Sequence, residues 1–193
     1  MLLSRPDRHF YNMGVIGNCA YMSHIDDTAN VVWQCWPQFD SSCLFGGLID
    51  DQNEGHFYIR PAVKGYSSRQ YYIENTNILC TEFECDDGEF RVIDFAPRYQ
   101  QHDRYTKPLI LCRKVEVLSG APRIKVSCQP RGGYGKIKPD IARRRNHLNF
   151  SGLDQPVRLY TDIYLSFIES EKEFSLVEDR YLLLSWNKSL EDS

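Results

Sequence analysis

Hydrophobic and polar positions alternate along much of this chain. From Ile78 to Cys85 the residues Leu79, Thr81, Phe83 and Cys85 fall on one face, and Asp86-Asp87-Gly88 supplies a tight turn before Phe90 to Phe95 returns. Segment 78–95 therefore predicts a hairpin, because successive strand side chains point to opposite faces. Leu109 to Val117 is a second apolar run, followed by the turn Ser119-Gly120-Ala121-Pro122. Ile124, Val126 and Cys128 then alternate with Arg123, Lys125 and Ser127, which predicts a strand with one core face and one wet face. Further strands are predicted at 15–22, 31–35, 57–60, 70–73, 148–150, 157–167, 173–177 and 181–186.

One segment reads as helical. Asp40-Ser41-Ser42 can cap a short helix over residues 41–50 in which Leu44, Phe45 and Leu48 share a face. About a dozen short strands with one helical turn give an all-β fold, a two-sheet antiparallel β-sandwich. Residues 1–186 read as one sandwich domain, and 187–193 as a polar tail or the start of a linker.

Composition sharpens this reading. The 193 residues include 13% aromatics and 42% hydrophobics. Val and Ile total 23 against 6 Ala, which favours a pleated, half-buried surface over helix. A chain of this length made mostly of strand is too short to hold a large helical catalytic barrel as well. The net charge of −3 supplies no overall field for nucleic acid or an anionic membrane, so neither is expected as a partner. Met1 to His9 lacks the apolar core of a secretory signal, which points to the cytoplasm. Cysteines 19, 35, 43, 80, 85, 112 and 128 form an odd set without a C-x-x-C pair and read as small buried hydrophobes. Zinc on Cys19, His24, Cys35 and Cys43 is the competing reading, but the spacings match no usual ligand pattern. No metal or cofactor is expected.

Candidate chemistry is sparse. The acidic pairs Asp26-Asp27, Asp50-Asp51 and Asp86-Asp87 suit turns, where Asp accepts backbone hydrogen bonds, better than a catalytic pair. No nucleophile elbow, zinc-protease helix, P-loop or dinucleotide fingerprint occurs. Gly132-Gly133-Tyr134-Gly135 lacks the Lys-Ser/Thr ending of a phosphate loop and reads as a connection between strands. Lys136, Lys138, Arg143, Arg144, Arg145 and His147 form a basic cluster, read as a solvated hairpin or a domain-contact face. The most unusual segment, Trp33 to Phe45, places Trp36, Phe39, Asp40 and Ser41 around a proline. Its rings suit either a core plug or a sugar-stacking platform.

Several of these motifs combine into a known pattern. Ile16-Gly17-Asn18, Trp33-x-Cys35-Trp36-Pro37-x-Phe39-Asp40-Ser41, Phe45-x-x-Leu48-Ile49-Asp50 and Val92-Ile93-Asp94-Phe95-Ala96-Pro97 resemble the N-terminal domain of glycoside hydrolase family 15, the glucoamylase-like and trehalase-like proteins. The likeness runs on through Arg113-Lys114-Val115-Glu116 and Tyr134-Gly135 to Leu184-Ser185-Trp186. It departs at Thr28-Ala29-Asn30-Val31-Val32, where the family often has Asp-Gly-Ser-Ile-Asp, and at Gly132-Gly133, where the family has Phe-Asp. The resemblance implies a β-supersandwich that precedes an (α/α)6 barrel, whose two glutamates carry out inverting hydrolysis of α-glucosidic bonds.

On that basis the chain alone is not expected to be an enzyme. It is expected to pack on and support the barrel of the same parent, with α-glucan or trehalose at the rim. Trp36, Phe39, Asp40, Ser41 and Tyr134 are the candidate rim or barrel-contact residues. A second copy of the chain is a further candidate for the same face. The alternative is a free-standing carbohydrate-binding module that uses exposed aromatics. A docking domain should expose an apolar patch when isolated.

Overall fold

The structure is a computed structural model and describes residues 11–49 and 55–187. The Met1 to His9 stretch, the Asp50-Asp51 pair and the tail beyond 187 lie outside the described residues. In chain order the strands are β1 (Met13–Gly17), β2 (Met22–Asp26), β3 (Val31–Cys35), β4 (Cys43–Phe45), β5 (His56–Pro61) and β6 (Tyr66–Tyr72). Then follow β7 (Leu79–Cys85), β8 (Gly88–Phe95), β9 (Tyr99–Gln101), β10 (Arg104–Thr106), β11 (Ile110–Gly120) and β12 (Arg123–Gln129). The last are β13 (Asp140–Arg143), β14 (His147–Ser151), β15 (Val157–Thr161), α1 (Leu165–Glu169), β16 (Phe174–Ser175) and β17 (Arg180–Trp186).

All strand pairings among the described residues are antiparallel. One layer is an eight-stranded sheet in the order β13-β14-β15-β17-β11-β8-β7-β6. The other combines the four-stranded sheet β1-β2-β3-β4 with the three-stranded sheet β16-β12-β5, joined by a bridge between Asn30 and Tyr58. Among the described residues the hairpin of β9 and β10 pairs only with itself. Between the layers lies one contiguous apolar core, into which β8 sends Phe90 and Val92, β11 sends Leu111 and Val115, and β12 sends Ile124 and Val126. Phe83 and Phe90 stack at 4.9 Å and are fully buried, each stabilising the fold by about 1.5–3 kcal/mol through removal from water. The layers meet closely: a Cβ at Gly14 would lie 2.5 Å from a Leu79 methyl.

The 78–95 hairpin is present, with Phe83 opposite Phe90 and Cys85 opposite Gly88. The helix expected over 41–50 is not. Cys43, Leu44 and Phe45 form β4 instead, all three buried, with Gln34 paired to Phe45 and Cys35 to Cys43. Pairing with β3 satisfies backbone groups and buries three successive apolar residues, whereas a helix buries only one stripe. The helix that does form, α1, interrupts what reads as a strand over 157–167. Its Leu165 and Ile168 are three residues apart, and both are buried. Ser127 also departs from expectation, for it is fully buried rather than on a wet face.

One polar junction crosses the core. Arg113 on β11 donates from Nε and Nη2 to the Asp94 carboxylate at 2.7 and 3.2 Å. It also donates to the carbonyls of Phe57 and Ala29, each at 2.6 Å, so it ties the eight-stranded layer to both parts of the other. Both side chains are wholly inaccessible to solvent. Burial raises the Asp94 carboxyl above its ordinary value, against the pull of the adjacent guanidinium. Ala29, whose carbonyl accepts from Arg113, stands at a φ of 55°, a left-handed conformation.

Candidate functional site

At one end of the sandwich several connections come together. β3 ends at Cys35, and the chain continues through a cis bond between Trp36 and Pro37. Trp36 is only 1% exposed and packs edge-on against Tyr21 at 5.2 Å and Trp186 at 6.3 Å. The Tyr21 hydroxyl donates to the carbonyl of Ile110, and burial pushes its ionisation well above the ordinary phenol range. Trp36 is therefore a core plug and cannot stack on a sugar. Its Nε1 is buried without a hydrogen-bond partner among the described residues.

Past Pro37 the chain surfaces. Gln38, Phe39 and Asp40 are exposed, Phe39 by 53%. Ser41 closes this turn: its Oγ accepts from the Gln38 N–H at 3.1 Å, and its own N–H donates to the Gln38 carbonyl at 3.2 Å. The next residue, Ser42, accepts the Tyr134 N–H on Oγ at 3.0 Å. The loop carrying Tyr134 is fixed in two more places. Arg131 donates its N–H to the Leu44 carbonyl at 2.9 Å, and Gly132 and Ile137 exchange two backbone bonds of 2.9 Å. Gly55 is needed where these segments cross, since a Cβ there would sit 2.7 Å from the carbonyls of both Gln129 and Leu44.

The Ser42–Tyr134 bond brings the Tyr134 loop against the segment that carries Phe39, Asp40 and Ser41, and Trp36 is buried at the start of that segment. Tyr134 is 55% exposed, and Leu48, Ile49 and Ile137 nearby along the same segments are exposed as well. Asp40 is the one carboxylate among the five.

The basic cluster is dispersed. Lys136, Lys138, Arg143, Arg144 and Arg145 are exposed along and around the edge strand β13, and Arg143 lies 3.9 Å from Glu169. His147 does not join them, being buried against the Tyr160 ring at 4.7 Å. Among the described residues, no group of three or more His, Cys, Asp or Glu side chains is placed to hold a metal ion. Cys35 and Cys43 are buried cross-strand neighbours, while Cys19 is exposed. Asp26 does serve its turn, its Oδ1 accepting from the N–H groups of Thr28 and Asn30 at 2.9 Å each.

A second polar cluster has no counterpart in the sequence reading. On the outer face of β5 and β12, Glu171 accepts from Ser127 Oγ, Gln129 Nε2 and Tyr58 Oη, each at 2.8 Å. His56 Nε2 lies 2.9 Å from Ser127 Oγ, and its ring stacks on Tyr58. Because the Ser127 hydroxyl proton is given to Glu171, His56 acts here as a donor to Ser127 and not as its base. Burial alone would raise the Glu171 carboxyl, but the hydrogen bonds of Tyr58 and Ser127, the His56 charge and the Gln129 amide together hold it below the ordinary range. Burial lowers His56, and the neighbouring carboxylate only partly offsets this. Register explains half of this cluster, for Ser127 pairs with Tyr58 and Gln129 with His56. Nothing local foretells Glu171, which arrives from beyond α1.

The trehalase-like N-terminal family matches residues 7–174. Trehalase 1 of Sulfolobus acidocaldarius is 31% identical over 140 residues, 72% of this chain and 22% of the relative. The trehalase of Thermoplasma volcanium is 30% identical over 141 residues, with the same two shares. That of Mycolicibacterium smegmatis is 26% identical over 148 residues, 70% of this chain and 22% of its own. The chain spans about a fifth of the length of the curated relatives it matches. No solved structure matches it significantly. No helix among the described residues is long and apolar enough to cross a membrane. With the family match covering most of the chain, and β3, the Trp36 plug and β8 falling where the resembled motifs lie, this chain belongs to the trehalase-like N-terminal domain family.

Proposed function

We propose that this chain is the non-catalytic sandwich domain of a longer trehalase, and that it packs on and supports the catalytic barrel of the same parent. The observation that carries this reading is the share of the match: most of this chain aligns with about a fifth of each trehalase. The exposed rings of Phe39 and Tyr134, on loops joined by the Ser42–Tyr134 bond, supply the contact surface. Their hydrogen-bonded loops are ordered in advance, so docking costs little conformational entropy. Asp40 and Ser41 stand at the edge of that contact, where a sugar held by the barrel would pass. A rim role for them deepens the proposal without placing chemistry on this chain.

The test uses the chain and the separately expressed catalytic segment of its parent. The chain alone should release no glucose from trehalose, and it should bind the catalytic segment. Changing Phe39 and Tyr134 together to Asp should weaken that binding about 30-fold, as expected for two central anchors worth about 2 kcal/mol. Glucose release by the isolated chain, or binding that the double variant leaves unchanged, overturns the reading.

A further inference from the structure

A cavity of about 600 Å³ is lined by none of the five residues above. It opens between three segments: the turn at 17–19, the turn at 75–78 and the stretch 95–99 that leads from β8 into β9. Its volume falls in the range of small-molecule sites, roughly 300–1,000 Å³.

The frame of this cavity is fixed by its own hydrogen bonds. Asn18, 2% exposed, donates its amide to the carbonyls of Pro97 at 2.9 Å and Pro108 at 2.8 Å, and accepts the Ala20 N–H at 3.0 Å. It thereby pins both ends of the excursion that carries β9 and β10. On the opposite wall Thr76 Oγ1 donates to the Ile73 carbonyl and accepts from the Ile78 N–H. Asn77 donates its amide nitrogen to the Gly17 carbonyl, which leaves its amide oxygen open as an acceptor. The Asn75 side chain is exposed and makes no hydrogen bond within the protein among the described residues. Arg98 donates to Cys19 Sγ at 3.2 Å and lies over the Tyr105 ring at 4.9 Å, so its guanidinium is held in place with further N–H groups to offer. Tyr99, 50% exposed, adds an aromatic face.

These walls offer amide donors and acceptors, a fixed guanidinium and a ring. They hold no carboxylate and a single cation, which already has partners. We propose that this cavity binds a neutral, polyhydroxylated ligand of disaccharide size, with hydroxyls on Asn75, Asn77 and Arg98 and an apolar sugar face on Tyr99. The one guanidinium is already bonded to Cys19 and stacked on Tyr105, which favours hydroxyl groups over an anion here. The site shares no residue with the docking surface and stands whether or not that surface engages a barrel.

Cys19 reports on occupancy without being changed. It is the exposed thiol, Cys85 is half-buried and the other five are buried. The rate of Cys19 alkylation by iodoacetamide is followed while maltose, sucrose or trehalose is added to the whole chain, with mannitol at equal osmolality as control. A disaccharide should slow alkylation several-fold and saturably, half-maximally at millimolar concentration. Asn75→Gly, which keeps the backbone at its φ of 58° while deleting the amide, and Tyr99→Ala should each abolish the protection. An unchanged rate at about 100 mM disaccharide overturns the proposal. So does protection by phosphate or glucose 6-phosphate alone, and so does protection that both variants retain.

Discussion

Two polar clusters of this sandwich, Arg113 with Asp94 and His56 with Glu171, use similar groups in opposite settings. Arg113 and Asp94 are sealed between the layers, whereas His56 and Glu171 sit on an outer face with about a third of each side chain open to water. Both satisfy their hydrogen bonds, but only the sealed one joins the two layers of the fold. Removing one partner of a sealed pair strands a charge with no water to replace it, while water can reach the open cluster. The comparison teaches that accessibility, more than the number of hydrogen bonds, sets what each cluster contributes.

Asp94→Asn should have the largest effect. The variant leaves Arg113 buried and charged, and it should cost about 3–5 kcal/mol, close to the whole stability of many domains. Urea titration measures the loss. The double change of Arg113→Met with Asp94→Leu should recover much of it, because no buried charge remains. A loss under about 1 kcal/mol for Asp94→Asn would mean that the junction is not sealed.

Glu171→Gln probes the open cluster and should cost less, about 1–3 kcal/mol at neutral pH, by weakening three hydrogen bonds. Here the effect depends on pH. The fold favours ionised Glu171 and neutral His56, since both are shifted down. Stability from His56 is therefore present above the ordinary imidazole value of about 6.5 and is lost as pH falls through its lower folded value. Glu171 follows the same sign further down, its share lost as pH falls below about 4.5. Urea midpoints of the unsubstituted chain should thus decline from pH 7.5 to 3, and the gap to Glu171→Gln should narrow below about pH 4.5. A gap of constant size across that range would show that Glu171 does not titrate as the geometry requires.

The smallest effect returns to the sealed junction. Ala29 holds a left-handed backbone conformation that glycine adopts freely, so Ala29→Gly should stabilise the chain by up to about 1 kcal/mol, after the added freedom of the unfolded chain is counted. The same urea titration reads it, and a destabilised variant would show that the Ala29 methyl, wholly buried, packs for more than its backbone strain costs.

Residues also differ in how legible they were in the sequence. The hairpin of β7 and β8 was readable because alternation and a Gly88 turn agree within one short window. The candidate site was partly readable: the residues from Trp36 to Ser41 announced themselves by composition, yet only the Ser42 bond to Tyr134 shows that the loops meet. The β4 segment reads as helix in the sequence because Leu44, Phe45 and Leu48 fit a helical period. The β3 edge that recruits them is set by pairing, which local spacing does not encode.

By itself the sequence determined an all-β sandwich, its family and the aromatic loop worth inspecting. Those rest on periodicity and short motifs, which are local. Tertiary structure alone decided that Trp36 is buried while Phe39 and Tyr134 are exposed, that Arg113 spans the layers, and that Glu171 meets Ser127 across 44 positions of chain. These are contacts between segments distant in sequence. They arise when two sheets close on a shared core, and no single segment carries the information that fixes them.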